Sequence, residues 1–414
     1  MTNIAVSQKK DWLRNYSLVG LLVSVLISSI FYDDPHLFYY KRVVYVIFLY
    51  FSIYQLLIFN YGKDQSRKSV RMPAFYSRYI HVFLIFIFLN LIGDFFNPKF
   101  NLVTILNNPF SLMAVVPVFA FKVGYQTTDD DKVFKILYYI SLFFLLFLLF
   151  PVKGNNIYNA SIACYASVLP LLAFALVKKQ KRIYAIILVC LGLLLSEVSD
   201  SRTIILRILM FSTLFVSLNL FKKYSSLKIL VILGMCFFIY EVLTDLQTFI
   251  DLFVSRTGAK KFDDADTRTF LYQELFSDMK THELVTGRGF LGTYFSPYFL
   301  DQMSQGISDG DSFIRGAIEV GFLQMVLKGG FIYYILYIYP LVLSCHRGLS
   351  YFRHNKLSYA ISIIILTELL IMFIENIPSF GFPFFLLFFL AGFSYRKAAD
   401  INTPEYNTAG LAFN

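Results

Sequence analysis

Five candidate arginines lie between residues 202 and 315, at the end of or within a hydrophobic segment or in a long polar stretch between two such segments: Arg202, Arg207, Arg268, Arg288 and Arg315. Charge in or near a bilayer costs free energy, so such residues are functional candidates. A guanidinium keeps its proton at physiological pH, and its planar fork binds two oxygens of a phosphate group. The residue type and its clustering therefore favour a phosphate-bearing ligand.

Each of these arginines also has a structural interpretation. Arg202 stands at a predicted helix end, where a long side chain can extend to the membrane surface. Arg207 lies five residues further into the hydrophobic run and therefore needs an anionic partner, which would be Glu197, Asp200 or a ligand. In the polar stretch, Arg268 and Arg288 flank an amphipathic segment and a glycine-rich turn, which favours a functional role for both, whereas Arg256 lies in a charged run typical of a solvated loop.

Asp311, Arg315 and Glu319 repeat at a spacing of four residues. That spacing predicts three side chains on one face of a helix. One interpretation is a self-neutralising row of ion pairs that allows the helix end to enter lipid. The other is a carboxylate base beside a phosphate-binding arginine. The spacing fits both interpretations.

The sequence lacks the usual motifs for a metal ion or a nucleotide. The five histidines form no HxxxH pattern, and the four cysteines form no CxxC pair and lie scattered in hydrophobic segments, where they act as small apolar packing residues. The stretch Gly287–Gly292 has three glycines, but no strand–helix unit surrounds it, so it predicts a turn rather than a nucleotide-binding loop. We expect no metal and no cofactor.

The composition requires a membrane to position these residues. The chain of 414 residues is 57% hydrophobic and 15% charged, with a mean hydropathy of +0.61. Soluble domains are about 45–50% apolar and about 25% charged. The sequence therefore predicts an all-α, polytopic membrane bundle that forms a single domain over 1–414. Twelve segments are apolar enough to span: 16–32, 42–60, 79–96, 103–124, 132–151, 159–177, 183–198, 203–221, 228–246, 313–345, 357–375 and 380–395.

Basic residues lie in every second connecting loop, which places the N- and C-termini in the cytoplasm. These loops account for the net charge of +10, so nucleic acid is not expected as a partner. The stretch 247–312 then becomes one long extracytoplasmic loop. Within it, 267–280 predicts an amphipathic helix that either lies on the bilayer or caps the bundle. Its apolar side comprises Phe270, Leu271, Leu275, Phe276 and Met279.

Four short motifs occur along this arrangement of spans and loop. They are Ser201-Arg202-Thr203, Arg268 with Tyr272, Gly287-Arg288-Gly289, and Asp311-Ser312-Phe313-Ile314-Arg315 continuing to Glu319-Val320-Gly321-Phe322. In order and spacing they resemble the bacterial O-antigen polymerase and ligase superfamily. The resemblance covers about 195–335 by motif and the rest by hydropathy. Ligases usually carry a histidine where this sequence has Asp311-Ser312, which favours the Wzy-type polymerase branch.

The resemblance implies a GT-C-like glycosyltransferase of the bacterial cytoplasmic membrane that joins undecaprenyl-pyrophosphate-linked repeat units into O-antigen or capsular polysaccharide. It would use no cofactor, metal or nucleotide sugar, and its partners would include a flippase and a chain-length regulator. The five arginines would bind pyrophosphate, and Asp311, before Glu319, would be the catalytic base. Three rivals remain. An O-antigen ligase would use the lipid A core as acceptor, and a polysaccharide flippase or transporter would more often have short loops and charges near the midplane. A purely structural partner of an export machine would not need the arginine cluster.

Overall fold

The computed structural model describes residues 72–97, 100–102, 105, 108, 110–111, 114–127, 129–148, 168–178, 183, 186–187, 190, 202–223, 269–304, 313–350, 355–374 and 382–399. The predicted spans 16–32, 42–60 and 228–246 lie outside the described residues, as do residues 247–268 and 305–312 of the predicted long loop.

Most of the described chain is helical, which agrees with the all-α prediction. Two short strands form an antiparallel pair. The elements are α1 (Ala74–Phe95), α2 (Val115–Gln126), α3 (Asp130–Leu148), α4 (Val168–Val177), α5 (Arg202–Lys223), α6 (Thr269–Asp278), α7 (Thr281–Thr286), β1 (Tyr294–Phe295), α8 (Pro297–Ser304), β2 (Ile314–Arg315), α9 (Gly321–Ser350), α10 (Lys356–Ile371) and α11 (Phe382–Ala399).

Within the described part of the chain, two helices are long and apolar enough to cross a membrane, α1 over Phe75–Phe95 and α9 over Gly321–Ser350. Large apolar side chains on α1 are exposed, among them Ile85 (59%) and Phe88 (62%). A contiguous apolar surface of this kind needs a lipid or protein partner. The helices therefore support the predicted membrane bundle, and the number of twelve spans stays a prediction.

The helix α9 is broken at Gly330, whose backbone has φ 68° and ψ −172°. A side chain is strained in this left-handed region, and a Cβ here would lie 2.2 Å from the Val285 carbonyl. The twenty residues 331–350 that follow would span about 30 Å, which matches the hydrocarbon layer. The predicted span 313–345 is therefore wrong at its start: residues 313–320 are not helical, and 321–329 form a separate short helix.

This short helix belongs to a compact unit that we call the loop module, residues 269–304 and 313–329. The module has its own hydrophobic core, separate from that of the helix bundle, with Leu271, Leu275, Ile318 and Leu323 fully buried. The predicted amphipathic helix is confirmed as α6, and it packs inside the module rather than lying free on a surface. One residue of its predicted apolar side differs, because Phe276 is 37% exposed.

The described helices have two distinct ends. At one end the loop module meets the bundle, and the Phe322 amide donates to the Met372 carbonyl just after α10 at 2.9 Å. At the other end Asp130 binds Lys178 at 2.6 Å and Lys397 at 2.8 Å, joining the ends of α3, α4 and α11. The sequence predicted these three ends on one side and the long loop on the other, and that relative placement is confirmed.

We expect Gly330→Ala to destabilise the junction between the module and α9. This backbone conformation, which is essentially restricted to glycine, costs an L-residue about 1–3 kcal/mol, and the overlap with the Val285 carbonyl adds to this. Thermal unfolding of the purified protein should show a lower midpoint, and hydrogen exchange should show faster exchange in α7.

Gly93→Ala is the matched control, because a Cβ at this helical position meets no atom within 4 Å. It should leave the melting temperature unchanged or raise it. Wild-type stability of Gly330→Ala would contradict the assigned break.

Candidate functional site

The pairing of β1 with β2 builds the centre of the candidate site. In this antiparallel register Tyr294 lies opposite Arg315, and Phe295 lies opposite Ile314. Directly opposed residues project from the same face of a sheet with their Cβ atoms about 5 Å apart. Tyr294 is 1% exposed, so its phenol ring fills the core of the loop module while its hydroxyl faces the Arg315 side chain.

Arg315 is held on two sides. Its Nη2 donates to the Glu319 carboxylate at 3.0 Å, and its guanidinium lies 3.8 Å from the centre of the Phe299 ring. The predicted Arg315–Glu319 ion pair is confirmed. The prediction that a helix carries this pair is wrong. Arg315 belongs to a strand, and the turn that follows, up to Val320, brings the two side chains together. Asp311 lies outside the described residues.

The hydroxyl of Tyr294 and Nη1 of Arg315 are both shielded from solvent. The guanidinium lies close enough to the phenol that both its charge and a hydrogen bond from it act on the hydroxyl. Burial raises the pKa of Tyr294 to about 12 against the opposing effect of Arg315, so the phenol is neutral at physiological pH and able to donate.

A buried carboxylate positions the aromatic ring beneath Arg315. Glu274 accepts from the Ser296 hydroxyl at 2.7 Å and from the Tyr298 amide at 2.9 Å, at the N-terminus of α8. A carboxylate is favourable there because the first amides of a helix have no partner within it. Glu274 is only 8% exposed, and it fixes the helix that carries Phe299.

Arg288 is engaged entirely by acceptors of the loop module. Its Nη1 binds the Asp278 carboxylate and the Thr293 carbonyl, and its Nη2 binds the Asp278 carbonyl and the Glu283 carboxylate at 2.6 and 3.0 Å. Burial raises the pKa of Glu283, but the hydrogen bonds from Arg288 and from the Lys280 amide, together with the nearby positive charge, outweigh that effect and hold the pKa below its usual range. These bonds support a positioning role, and pyrophosphate binding by Arg288 stays a prediction.

The turn that carries Arg288 is clamped to the bundle. Asp94, at the end of α1, accepts from the amides of Phe290 and Leu291 at 2.9 and 3.3 Å. On the other side of the turn the Lys328 ammonium donates to the Gly292 carbonyl at 2.7 Å. Gly289 has φ +82°, and a Cβ there would lie within 2.4 Å of the Asp94 carboxylate. The predicted turn is confirmed, and two buried charges hold it.

Sequence reasoning did not single out Asp94, Tyr294 or Phe299. A signal existed for Asp94, since a carboxylate inside the predicted span 79–96 is a functional candidate by the same rule that selected the arginines. No local signal existed for Tyr294, because its position opposite Arg315 depends on strand pairing across an intervening helix.

Arg207 is buried in the bundle and has an anionic partner, as its depth required. Its Nε lies 3.3 Å from a carboxylate oxygen of Glu368 on α10. The predicted alternatives Glu197 and Asp200 lie outside the described residues. Arg207 is five residues from the start of α5, and Glu368 is three residues before the end of α10, so the pair is near the bundle end that carries the loop module.

The remaining predicted residues are only partly placed. Arg202 begins α5, as the sequence predicted, and Arg268 lies outside the described residues. The described residues contain no group of three or more His, Cys, Asp or Glu side chains that could hold a metal ion. The structure thus brings together Arg315, Glu319 and Tyr294, with Arg288 fixed in the same module.

Asp94→Asn should loosen the turn. The amide has only one acceptor oxygen, so one of the two backbone amides loses its partner, at a cost of about 1–3 kcal/mol. Hydrogen exchange at Phe290 and Leu291 should accelerate. Asp131→Asn, an exposed change at the other end of the bundle, is the control, and unchanged exchange in Asp94→Asn would refute the clamp.

Arg288→Lys should destabilise the loop module although the charge is retained. A lysine ammonium cannot reproduce the fork that spans Asp278, Glu283 and two carbonyls. We expect a lower thermal midpoint, by an amount equivalent to about 2–4 kcal/mol. If Arg288 is instead a ligand-binding residue held loosely in the apo protein, the midpoint will match the wild type.

Comparison with known proteins gave no match, either to a protein-family model or to a curated protein sequence. The function is therefore inferred from the chain's own residues: a folded module of charged and aromatic side chains, fixed to one end of a bundle with helices long enough to cross a membrane.

Proposed function

We propose that this protein polymerises undecaprenyl-pyrophosphate-linked oligosaccharide repeat units into O-antigen or capsular polysaccharide. The observation that carries the proposal is the Arg315–Glu319 pair in a folded module, clamped through Asp94 to one end of an apolar helix bundle. Such a module holds charged groups rigidly beside the membrane surface, where a lipid-anchored diphosphate and its glycan lie. In this proposal the module faces away from the cytoplasm, the chain crosses the bacterial cytoplasmic membrane about twelve times, and both termini are cytoplasmic.

In the proposed reaction a hydroxyl of one lipid-linked repeat unit attacks the anomeric carbon of a growing lipid-linked glycan. A carboxylate takes the hydroxyl proton, the new glycosidic bond forms, and the bond to the diphosphate breaks with its electron pair leaving on undecaprenyl pyrophosphate. We assign the base to Asp311 before Glu319. A positioned general base contributes about a hundred- to ten-thousandfold to the rate.

The predicted arginines have unequal roles in this proposal. A guanidinium already paired with a carboxylate adds little net charge for a diphosphate, and this applies to Arg207, Arg288 and Arg315. The diphosphate is therefore assigned chiefly to Arg202 and Arg268. Fixed cationic donors aimed at the developing charge are usually the largest catalytic contribution. Arg315 and Glu319 are assigned to the acceptor side, and Arg207 and Arg288 support the scaffold.

A flippase or transporter is supported less well. Its charges would lie near the bilayer midplane, where the substrate pathway runs. The buried Arg207–Glu368 pair instead lies within about two helical turns of the bundle end that carries the module. An O-antigen ligase would use the same donor, and Asp311 in place of the expected histidine argues against it.

The decisive experiment is a gel of surface polysaccharide from a strain that lacks this gene, with and without a plasmid-borne copy. A polymerase predicts loss of the ladder, with single repeat units still attached to their lipid anchor. Loss of every attached unit with lipid-linked polymer accumulating would indicate a ligase. Repeat units trapped on the cytoplasmic face would indicate a flippase, and either result would overturn the proposal.

In the same complementation assay, Arg268→Ala and Asp311→Asn should each abolish the ladder at normal expression, because the first removes a diphosphate ligand and the second removes the base. Arg78→Ala and Asp131→Asn, at the other end of the bundle, remove the same charges and should restore a normal ladder. A full-length ladder from Arg268→Ala or Asp311→Asn would refute the role assigned to that residue.

A further inference from the structure

Six aromatic side chains lie where the loop module meets the end of the helix bundle. They belong to α6, to both helical parts of α9 and to the segment after α10, and we call them the aromatic seam: Tyr272, Phe276, Phe322, Phe331, Tyr334 and Phe373. The Phe322 ring is central, with its centre 4.9 Å from that of Tyr334 and 4.9 Å from that of Phe373. The Tyr272 hydroxyl donates to the Phe373 carbonyl, so the aromatic seam joins α6 to the bundle.

The outer side of the aromatic seam is open, although its members are apolar rings. Phe276, Phe331 and Phe373 are 37%, 37% and 41% exposed, and none of the six side chains carries a charge. Phe276 belongs to the predicted apolar side of α6, and its exposure leaves that side without a complete partner inside the loop module. Contiguous exposed rings are unfavourable in water, so this surface requires an apolar partner outside the described structure.

The aromatic seam continues into an exposed apolar stripe along α9. The stripe consists of Phe331, Ile335, Tyr339 and Val342, which follow one another at intervals of four, four and three residues. That spacing places the four side chains on one face of the helix. Phe331 is the first residue of the twenty that span about 30 Å, so the seam begins where this helix leaves the hydrocarbon layer.

We propose that the aromatic seam lies in the boundary layer between the acyl chains and the headgroups of the bilayer, on the side that carries the loop module. The exposed phenylalanine rings pack against the acyl chains of neighbouring lipids. Aromatic residues are enriched at this level of a membrane, where an apolar ring and a polar hydroxyl both find suitable surroundings. The loop module is therefore held against the membrane surface through α6 and does not extend freely into water.

The composition of the seam favours lipid over a second copy of the chain as its partner. An interface between proteins carries hydrogen bonds as well as apolar contacts. The three exposed members of the seam are phenylalanines, which offer rings alone, and the Tyr272 hydroxyl is already bound to the Phe373 carbonyl. The stripe on α9 and the seam form one continuous surface, so the lipid that covers the stripe also meets the seam.

The inference rests only on the membrane-spanning part of the proposed function, and its test uses full-length protein in phosphatidylcholine vesicles. Trp12 is the only tryptophan of the chain, so Trp12→Phe gives a background in which one new tryptophan reports its surroundings. In that background, lipid brominated near the headgroup end of its acyl chains should quench Phe276→Trp more strongly than lipid brominated near the chain ends. The emission maximum should shift to shorter wavelength on reconstitution. Phe373→Trp probes the same boundary from the bundle side and should give the same result.

Two further single-tryptophan variants serve as references. Ile335→Trp lies on the α9 stripe about 6 Å along the helix from Phe331, and its quenching should shift toward the lipid brominated near the chain ends. Phe295→Trp is the matched control, since Phe295 is 40% exposed in the same module and its ring contacts Phe313 instead of a described ring of the aromatic seam. Both lipids should quench Phe295→Trp less than Phe276→Trp. Each variant must first match the background protein in thermal midpoint.

Three results would overturn the inference. If Ile335→Trp is quenched but neither seam tryptophan is, protein covers the seam, whether a second copy or another segment of this chain. Equal quenching of Phe276→Trp and Phe295→Trp would show that the seam is not the surface through which the module meets lipid. If Ile335→Trp is unquenched as well, α9 does not face lipid, and the membrane-spanning part of the proposed function fails together with the inference.

Discussion

One buried carboxylate joins the loop module to the end of α1. Asp94 is 2% exposed and accepts from two consecutive amides of the turn that carries Arg288. A buried charge is costly unless it is hydrogen-bonded, so the turn and the end of α1 stabilise each other and neither is satisfied alone. Lys328 completes the arrangement by donating to the same turn from α9. Together with the hydrogen bond from the Phe322 amide to the Met372 carbonyl, this contact fixes the module to the helix bundle.

The charged residues of the module differ in role although they are of the same type. Glu274 orders the start of α8, Glu283 holds Arg288, and Glu319 holds Arg315 from a partly exposed position. Both terminal nitrogens of Arg288 are bound by acceptors of the fold, and Arg315 is paired with the Glu319 carboxylate. Counting arginines therefore overestimates the number available for a diphosphate.

The break at Gly330 determines where the long apolar part of α9 starts. Hydropathy alone extends the span back to residue 313, because the core of the loop module is as apolar as a membrane segment. In the structure Val320, Leu323 and Leu327 face that core instead of lipid. Gly330, with its positive φ, separates the two helical parts of α9. Because it has no side chain, α7 packs against α9 at a distance that a Cβ atom would not permit. Arg315 and Glu319 therefore lie in a folded module and not on a helix that enters the bilayer.

Composition and periodicity by themselves determined the all-α class, the apolar helices, the amphipathic α6, the glycine turn and the relative sides of the described loops, because each depends on local hydrophobicity or on charge beside a span. They also identified Arg315 and Glu319 as a pair. Only the tertiary structure decided that a strand and turn, and not a helix, connect Arg315 to Glu319, and that Tyr294 lies opposite Arg315. It also decided that Arg207 pairs with Glu368 and that Asp94 binds the turn. Those contacts join residues from about 20 to nearly 200 positions apart, where the free energy of packing and of satisfying buried polar groups, and no local pattern, selects the partner.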